Sequence, residues 1–306
     1  MDHFADRLIA AVRRCQNPVL VGLDPRAESL PQGLRVDDPR NYTALADAYR
    51  RFCQGVIDVV APLVPIVKPQ AAFFEELGPA GMAALGDVIR YARDKGLLVI
   101  LDGKRNDIGS TATAYAQGYL GDTADCPWAA DSLTVSPYLG DDSLEPFVKV
   151  AQQRGAGIFV LVKTSNPGGK LFQDLVADGR PLFQHVAALV EKLALQTIGL
   201  GGYGAVGAVV GATYPEELAQ LRAQMPHTWF LVPGFGAQQG TAGDVAAAFN
   251  SSGLGAVINN SRNIIFAHSR PEYKTTFGDA RWQAAVEAAT RDMIAQLRAE
   301  TPAGRL

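Results

Sequence analysis

Eight short apolar runs, each followed by a turn signal and then by a longer helical pattern, organise this chain. The runs are Val19 to Leu23, Val64 to Lys68, Leu97 to Asp102, Ser132 to Ser136, Ile158 to Lys163, Ala205 to Gly211, Thr228 to Val232 and Ala256 to Asn259. Their hydrophobicity is continuous rather than alternating, the mark of strands buried on both faces in a parallel sheet with helices packed outside it. Helical patterns fill the intervals: Thr43 to Val60, Pro79 to Lys95, Ser110 to Tyr119, Leu144 to Arg154, Leu182 to Thr197, Pro215 to Met225 and Ala242 to Phe249, with a last one near Arg281 to Ala299. Gly96 and Gly155 follow helical stretches, where a left-handed C-cap places glycine, and Pro215 opens one as a first-turn proline. Eight such units fit a (β/α)8 barrel, the TIM-barrel architecture, although a doubly wound open sheet with extra strands gives a similar string.

The 306 residues suit one barrel domain spanning 1–306, with no low-complexity tract and no evident linker. Nearly half of them are hydrophobic and the net charge is -3, with Lys and Arg scattered rather than gathered into a basic stripe. Nucleic-acid binding is not expected, and a small molecule is. Cys15, Cys53 and Cys126 are far apart and lack metal or disulfide spacing, which fits a reducing cytoplasm. The opening MDHFADRLIAAVRRC reads as an extra amphipathic helix (Phe4, Leu8, Ile9, Val12) rather than a secretion signal, and no apolar run approaches membrane-spanning length. His3, His185, His227 and His268 lie in or beside helical stretches without metal spacing and are read as structural or surface residues. No metal site is expected from these residues.

In such barrels the catalytic groups sit at the C-terminal ends of the strands. Here those ends are polar: Asp24, Lys68, Asp102 with Lys104, Lys163 to Asn166, and Asn260 to Arg262. In LLVILDGKRNDIGS, Asp102 and Lys104 are two residues apart, and the strand period of two aims both at the barrel mouth. Asp107 follows past the strand end, within reach of a neighbouring site or a partner subunit. A lone DxK also fits a surface loop with ordinary ion pairs. A lysine held among carboxylates on a buried strand end is costly to desolvate, however, and stability alone would gain little from it.

The segment DGKRNDI matches the DxKxxDI signature of the orotidine 5'-phosphate decarboxylases, and the chain is similar to that family along most of its length. VGLDP with Asp24, PIVKP with Lys68, TSNPG after the fifth strand, PGFGAQ after the seventh and SRNI after the eighth occur in the family's order. TSNPG and the long connection after it, Asn166 to Arg180, resemble the longer-chain branch found in actinobacteria and related bacteria. The resemblance implies conversion of orotidine 5'-phosphate to UMP without a cofactor. Lys68, Asp102, Lys104 and Asp107 would form an alternating charge array, with Asp107 reaching into the other protomer of a homodimer. Asp102 would disfavour the charged ground state, while Lys104, kept cationic, would stabilise carbanion character at C6 and supply the proton. Arg262 would bind the phosphate, with Gln238 bridging phosphate and pyrimidine and Gly236 letting the backbone approach. Ser165 would bond the pyrimidine, and Asp24 with Lys68 the ribose hydroxyls. Thr111 resembles a residue that grips the ribose and equally fits a helix-surface threonine. Two positions depart from the pattern: Gln239 and Ser261 stand where glycine is common.

Three other readings share the scaffold. A metal-dependent sugar-phosphate decarboxylase, like the 3-keto-L-gulonate 6-phosphate enzymes, wants carboxylates around magnesium, and Lys68 would compete with that ion. A non-catalytic nucleotide-binding barrel would keep Arg262 and Gln238 without the charge array. A Schiff-base aldolase on Lys163 or Lys68 needs a neutral lysine among apolar or cationic neighbours. Lys163 itself is expected to be solvated or ion-paired.

Overall fold

The computed structural model describes residues 3–212, 215–235 and 241–306, and in it the apolar runs close into a barrel. Its strands are β1 (Val19–Leu23), β2 (Ile66–Pro69), β3 (Leu98–Arg105), β4 (Ser132–Val135), β5 (Gly157–Lys163), β6 (Val206–Val210), β7 (Phe230–Val232) and β8 (Ala256–Asn260). Each pairs in parallel with its neighbours in sequence, and β8 pairs with β1 through Leu20 and Asn259. Closure rules out the open-sheet alternative.

The strands are apolar on both faces because each face has a different neighbour. Leu20, Ile66, Ile100, Phe159, Val209, Leu231 and Val257 fill the barrel interior. Val21, Val67, Val99, Val160, Ala208 and Ile258 point outward against the helices. These helices are α1 (Phe4–Cys15), α2 (Tyr42–Val60), α3 (Gly78–Asp94), α4 (Gly109–Tyr119), α5 (Glu145–Gln153), α6 (Leu182–Gln196), α7 (Pro215–Gln224), α8 (Ala242–Val245) and α9 (Trp282–Glu300). The helix expected over Ala242 to Phe249 is one α-turn followed by a 3-10 turn over Ala246–Ala248. There the chain must double back at once into β8, and Asn250 holds that turn by accepting from Ser252 N and Leu254 N. Pro271–Phe277 forms a further helix that the hydrophobic pattern did not announce.

The extra N-terminal helix closes the end of the barrel opposite the strand C-termini. Phe4 meets Phe159 edge to face at 6.1 Å, and Leu8, Ile9 and Val12 join the interior cluster. Polar contacts fix its orientation: Arg7 pairs with Asp131 at 2.6 Å, and Asp6 accepts from the backbone N–H groups of Leu200 and Gly201. With this end sealed, access to the interior is left to the other end. No helix among the described residues is long and apolar enough to cross a membrane.

The connection after β5 carries structure of its own. It holds a turn of helix, Lys170–Gln173, and a hairpin pairing Val176–Ala177 with Arg180–Pro181. Asp178 and Gly179 at the hairpin tip have φ of 49° and 75°, the two consecutive positive values that favour an Asp-Gly turn.

Candidate active site

Asp102 is the hub of the open end. Four side-chain donors converge on its carboxylate: Lys68 Nζ at 2.9 Å and Gln70 Nε2 at 2.9 Å on Oδ2, Lys104 Nζ at 2.7 Å and the Thr134 hydroxyl at 2.9 Å on Oδ1. β2, β3 and β4 are neighbours, so the barrel register brings together side chains that lie up to 66 residues apart, from Lys68 to Thr134. Lys68 and Asp102 are 4% and 7% exposed, whereas the Lys104 side chain is 48% exposed. One ammonium is therefore buried in the cavity wall beside the carboxylate, and the other stands half exposed at the mouth.

Local backbone sets this arrangement. The pairing of β3 with β4 shifts register between Leu101 and Arg105, and within the shift Lys104 has φ of 44°. Left-handed backbone at a residue with a side chain costs about 1 kcal/mol. The Thr134 hydroxyl supports it by accepting from Lys104 N at 2.9 Å while donating to Asp102.

The electrostatics reinforce the geometry. Burial pushes the Asp102 carboxyl up, but the Lys68 and Lys104 charges and their hydrogen bonds outweigh it and hold the group well below the usual carboxylate range. Burial likewise pulls Lys68 down, and Asp102, then Asp24, more than restore it, so its ammonium is favoured beyond the ordinary lysine value. Lys68 is thus a poor candidate for the neutral amine of an aldolase.

Around this hub lies a cavity of about 270 Å3 whose walls include Asp24, Lys68, Gln70, Asp102, Lys104, Thr134, Ser165 and Asn259, over a floor of Leu161, Val209 and Leu231. Ser165 reaches it because β6 is followed by Gly211, where a Cβ would lie 3.0 Å from the Ser165 backbone and side chain. A second, adjoining cavity of about 150 Å3 is lined by Arg262, Ser261, Asn260 and Phe235, and it shares Asp24, Pro233 and Asn259 with the first. Ser261 needs no glycine conformation, with φ of -109°, and its hydroxyl takes the space that a side chain at Gly22 would fill.

Of the residues expected from sequence, Asp24, Lys68, Asp102, Lys104 and Ser165 line the first cavity, and Arg262 lines the second. Asp107 and Thr111 line neither. Asp107 accepts from Ile108 N at 2.8 Å just ahead of α4, and Thr111 is exposed on that helix. Gly236, Gln238 and Gln239 lie outside the described residues. Gln70, Thr134 and Asn259 were not singled out by sequence reasoning. Gln70 carried a usable signal, since it follows Lys68 by the strand period of two. Thr134 carried a fainter one, a polar residue inside a buried strand.

Lys163 is ion-paired, and it is not solvated. A register shift between Leu161 and Lys163 turns it out of the barrel, where it is 2% exposed over the Phe183 ring. It pairs with Asp174 in the long connection and, at 3.3 Å, with Glu217 at the start of α7.

Comparison with known proteins identifies the family. Residues 17–275 match the model of the Orotidine 5'-phosphate decarboxylase / HUMPS family. The chain is 58% identical over 299 residues to the orotidine 5'-phosphate decarboxylase of Rhodopirellula baltica, covering 96% of this chain and 99% of that one. With the Deinococcus radiodurans enzyme it shares 46% identity over 248 residues, covering 81% and 83%. The structure of Leishmania donovani OMP decarboxylase superposes with a TM-score of 0.74 at 34% identity, covering 97% of this chain and 98% of that one. The chain belongs to the Orotidine 5'-phosphate decarboxylase / HUMPS family, on its orotidine 5'-phosphate decarboxylase side.

Proposed function

We propose that the protein decarboxylates orotidine 5'-phosphate through the network centred on Asp102, with Lys104 as the proton donor. The activity is that of a carboxy-lyase in pyrimidine biosynthesis: the bond from C6 to the carboxylate breaks, CO2 leaves, and a proton takes its place to give UMP. The observation that carries the reading is the pair of ammonium groups on one buried carboxylate, at 2.9 and 2.7 Å. Lys68, buried beside it, keeps Asp102 ionised. Asp102 then presents a negative charge towards the substrate carboxylate, which is relieved as CO2 departs. Lys104, at the mouth, faces the electron pair left at C6, stabilises it and delivers its proton.

The remaining roles follow the cavities. Ser165 bonds the pyrimidine, Asp24 and Lys68 hold the ribose, and Arg262 binds the phosphate; for Gln238 and Gly236, outside the described residues, the phosphate roles rest on the family resemblance alone. The phosphate is remote from the bond that breaks, so its contacts supply binding energy that can hold the connection after β5 over the site. A homodimer is part of the proposal. Asp107 and Thr111 lie outside their own chain's cavities, and Ile108, Tyr138 and Leu139 nearby in β3–α4 and after β4 are exposed at 56%, 77% and 46%. Burying that apolar surface against a second copy would carry Asp107 and Thr111 to the partner's site.

A metal-dependent sugar-phosphate decarboxylase is the second reading on this scaffold. It is disfavoured by Lys68, whose cation already occupies the inner side of Asp102. The test is to follow loss of the orotate chromophore with purified protein, orotidine 5'-phosphate and EDTA, beside Lys104→Ala. Turnover that survives EDTA and collapses in the variant is expected. A folded wild type with no turnover overturns the proposal.

A further inference from the structure

We infer that Asn259 recognises the sugar of the substrate, its side-chain carbonyl accepting a hydrogen bond from a ribose hydroxyl. The inference rests on the function proposed above. One cavity holds the charge array and the other holds Arg262, and they share the walls Asp24, Pro233 and Asn259. A nucleotide with its base in the first and its phosphate in the second must cross those shared walls with its ribose.

Two buried acceptors stand unpaired at that crossing. Among the described residues, neither Asp24 Oδ1 nor Asn259 Oδ1 has a hydrogen-bond partner. A buried acceptor without a donor is unfavourable, so both are expected to be satisfied when the site is filled. The middle of the substrate offers two donors, the 2'- and 3'-hydroxyls, because the phosphate is an acceptor and the base N–H lies at the far end.

The Asn259 amide is held for this task. Its residue is on β8, paired with Leu20 of β1, and its Nδ2 points to Ser261 Oγ at 3.5 Å, so Oδ1 is the end of the amide still without a partner. Gly22 leaves the room: a Cβ there would lie 3.2 Å from Asn259 Oδ1 and 1.8 Å from Ser261 Oγ. A neutral amide also suits a position between Arg262 and the charge array, since a second carboxylate beside the phosphate would repel it.

The test couples the residue to each hydroxyl. kcat/KM is measured for orotidine 5'-phosphate and its 2'-deoxy and 3'-deoxy analogues with wild type, Asn259→Ala and Asn259→Asp, each checked for native melting. In wild type, removing the hydroxyl that Asn259 reads should lower kcat/KM about tenfold. In Asn259→Ala the natural substrate should lose about the same factor, and the corresponding deoxy analogue should lose nothing further. Asn259→Asp, which keeps an acceptor, should retain discrimination against that analogue. Equal losses on all three substrates in Asn259→Ala, or no loss on any, would overturn the inference and leave the proposed function standing. A wild type inert towards orotidine 5'-phosphate would remove the function first, and this inference with it.

Discussion

Lys68 Nζ stands 2.9 Å from Asp102 Oδ2 across adjacent strands, with both side chains buried, so each depends on the other for its charge. In Asp102→Asn, Lys68 keeps its burial and loses its counter-charge, which should cost about 3 kcal/mol of stability. Turnover should fall by about 10^2-fold or more, since the carboxylate facing the substrate is gone. The double variant Asp102→Asn/Lys68→Met should regain much of the stability and none of the activity. Urea unfolding and initial rates decide it; a single variant that unfolds at the wild-type midpoint would show that the pair does not depend on mutual charge.

Thr134 joins Asp102 to the Lys104 backbone, and Gln70 bonds the other carboxylate oxygen. Thr134→Val keeps the shape and removes both contacts, so kcat should drop by roughly tenfold to a hundredfold while KM changes little, from about 1.5–3 kcal/mol per bond to a charged group. Gln70→Leu should be milder, because Lys68 still holds the same oxygen. If both variants changed KM alone, these residues would be reading substrate rather than positioning Asp102.

The same pair sets a pH window. Asp102 is depressed below its ordinary value, so its contribution is complete above the unfolded carboxyl value of about 3.9 and is lost as pH falls through the folded one. Lys68 is raised, so its contribution is complete below about 10.4 and is lost as pH rises through the folded value. The pair should therefore add no slope to stability between about pH 5 and 9, and should weaken the protein at both extremes. Melting curves of wild type and the Asp102→Asn/Lys68→Met double variant test this: both outer limbs should flatten in the variant.

Lys163 ties the connection after β5 to α7 through Asp174 and Glu217. Lys163→Met should cost about 2 kcal/mol, less than a fully buried pair because both carboxylates can rehydrate. Limited proteolysis should then cut within 166–181 sooner than in wild type. Unchanged proteolysis together with lower stability would limit the lysine's role to the packing of β5 and α6.

Eight buried strands, the helices between them and the polar strand ends were legible because each is a local pattern. Asp102 and Lys104 came with them, being neighbours on one strand. Gln70, Thr134 and Asn259 were not legible as site residues, since a single polar side chain in or after an apolar run looks the same whether it caps, packs or binds. Lys163 shows the converse: it ends a strand as Lys68 does, yet a register shift turns it outward into an ion pair. The Asp-Gly pair at 178–179 was a readable hairpin signal within the long connection from Asn166 to Arg180.

The sequence by itself determined the number and kind of the elements, because burial on two faces leaves a continuous apolar signature. It also determined the chemistry carried along β3. Only the tertiary structure decided that the sheet closes, which of two lysines is buried beside Asp102 and which stands at the mouth, and that Asn259 lies where two cavities meet. Those outcomes depend on the register between strands far apart in the chain, and a shift of one residue sends a side chain to the opposite face.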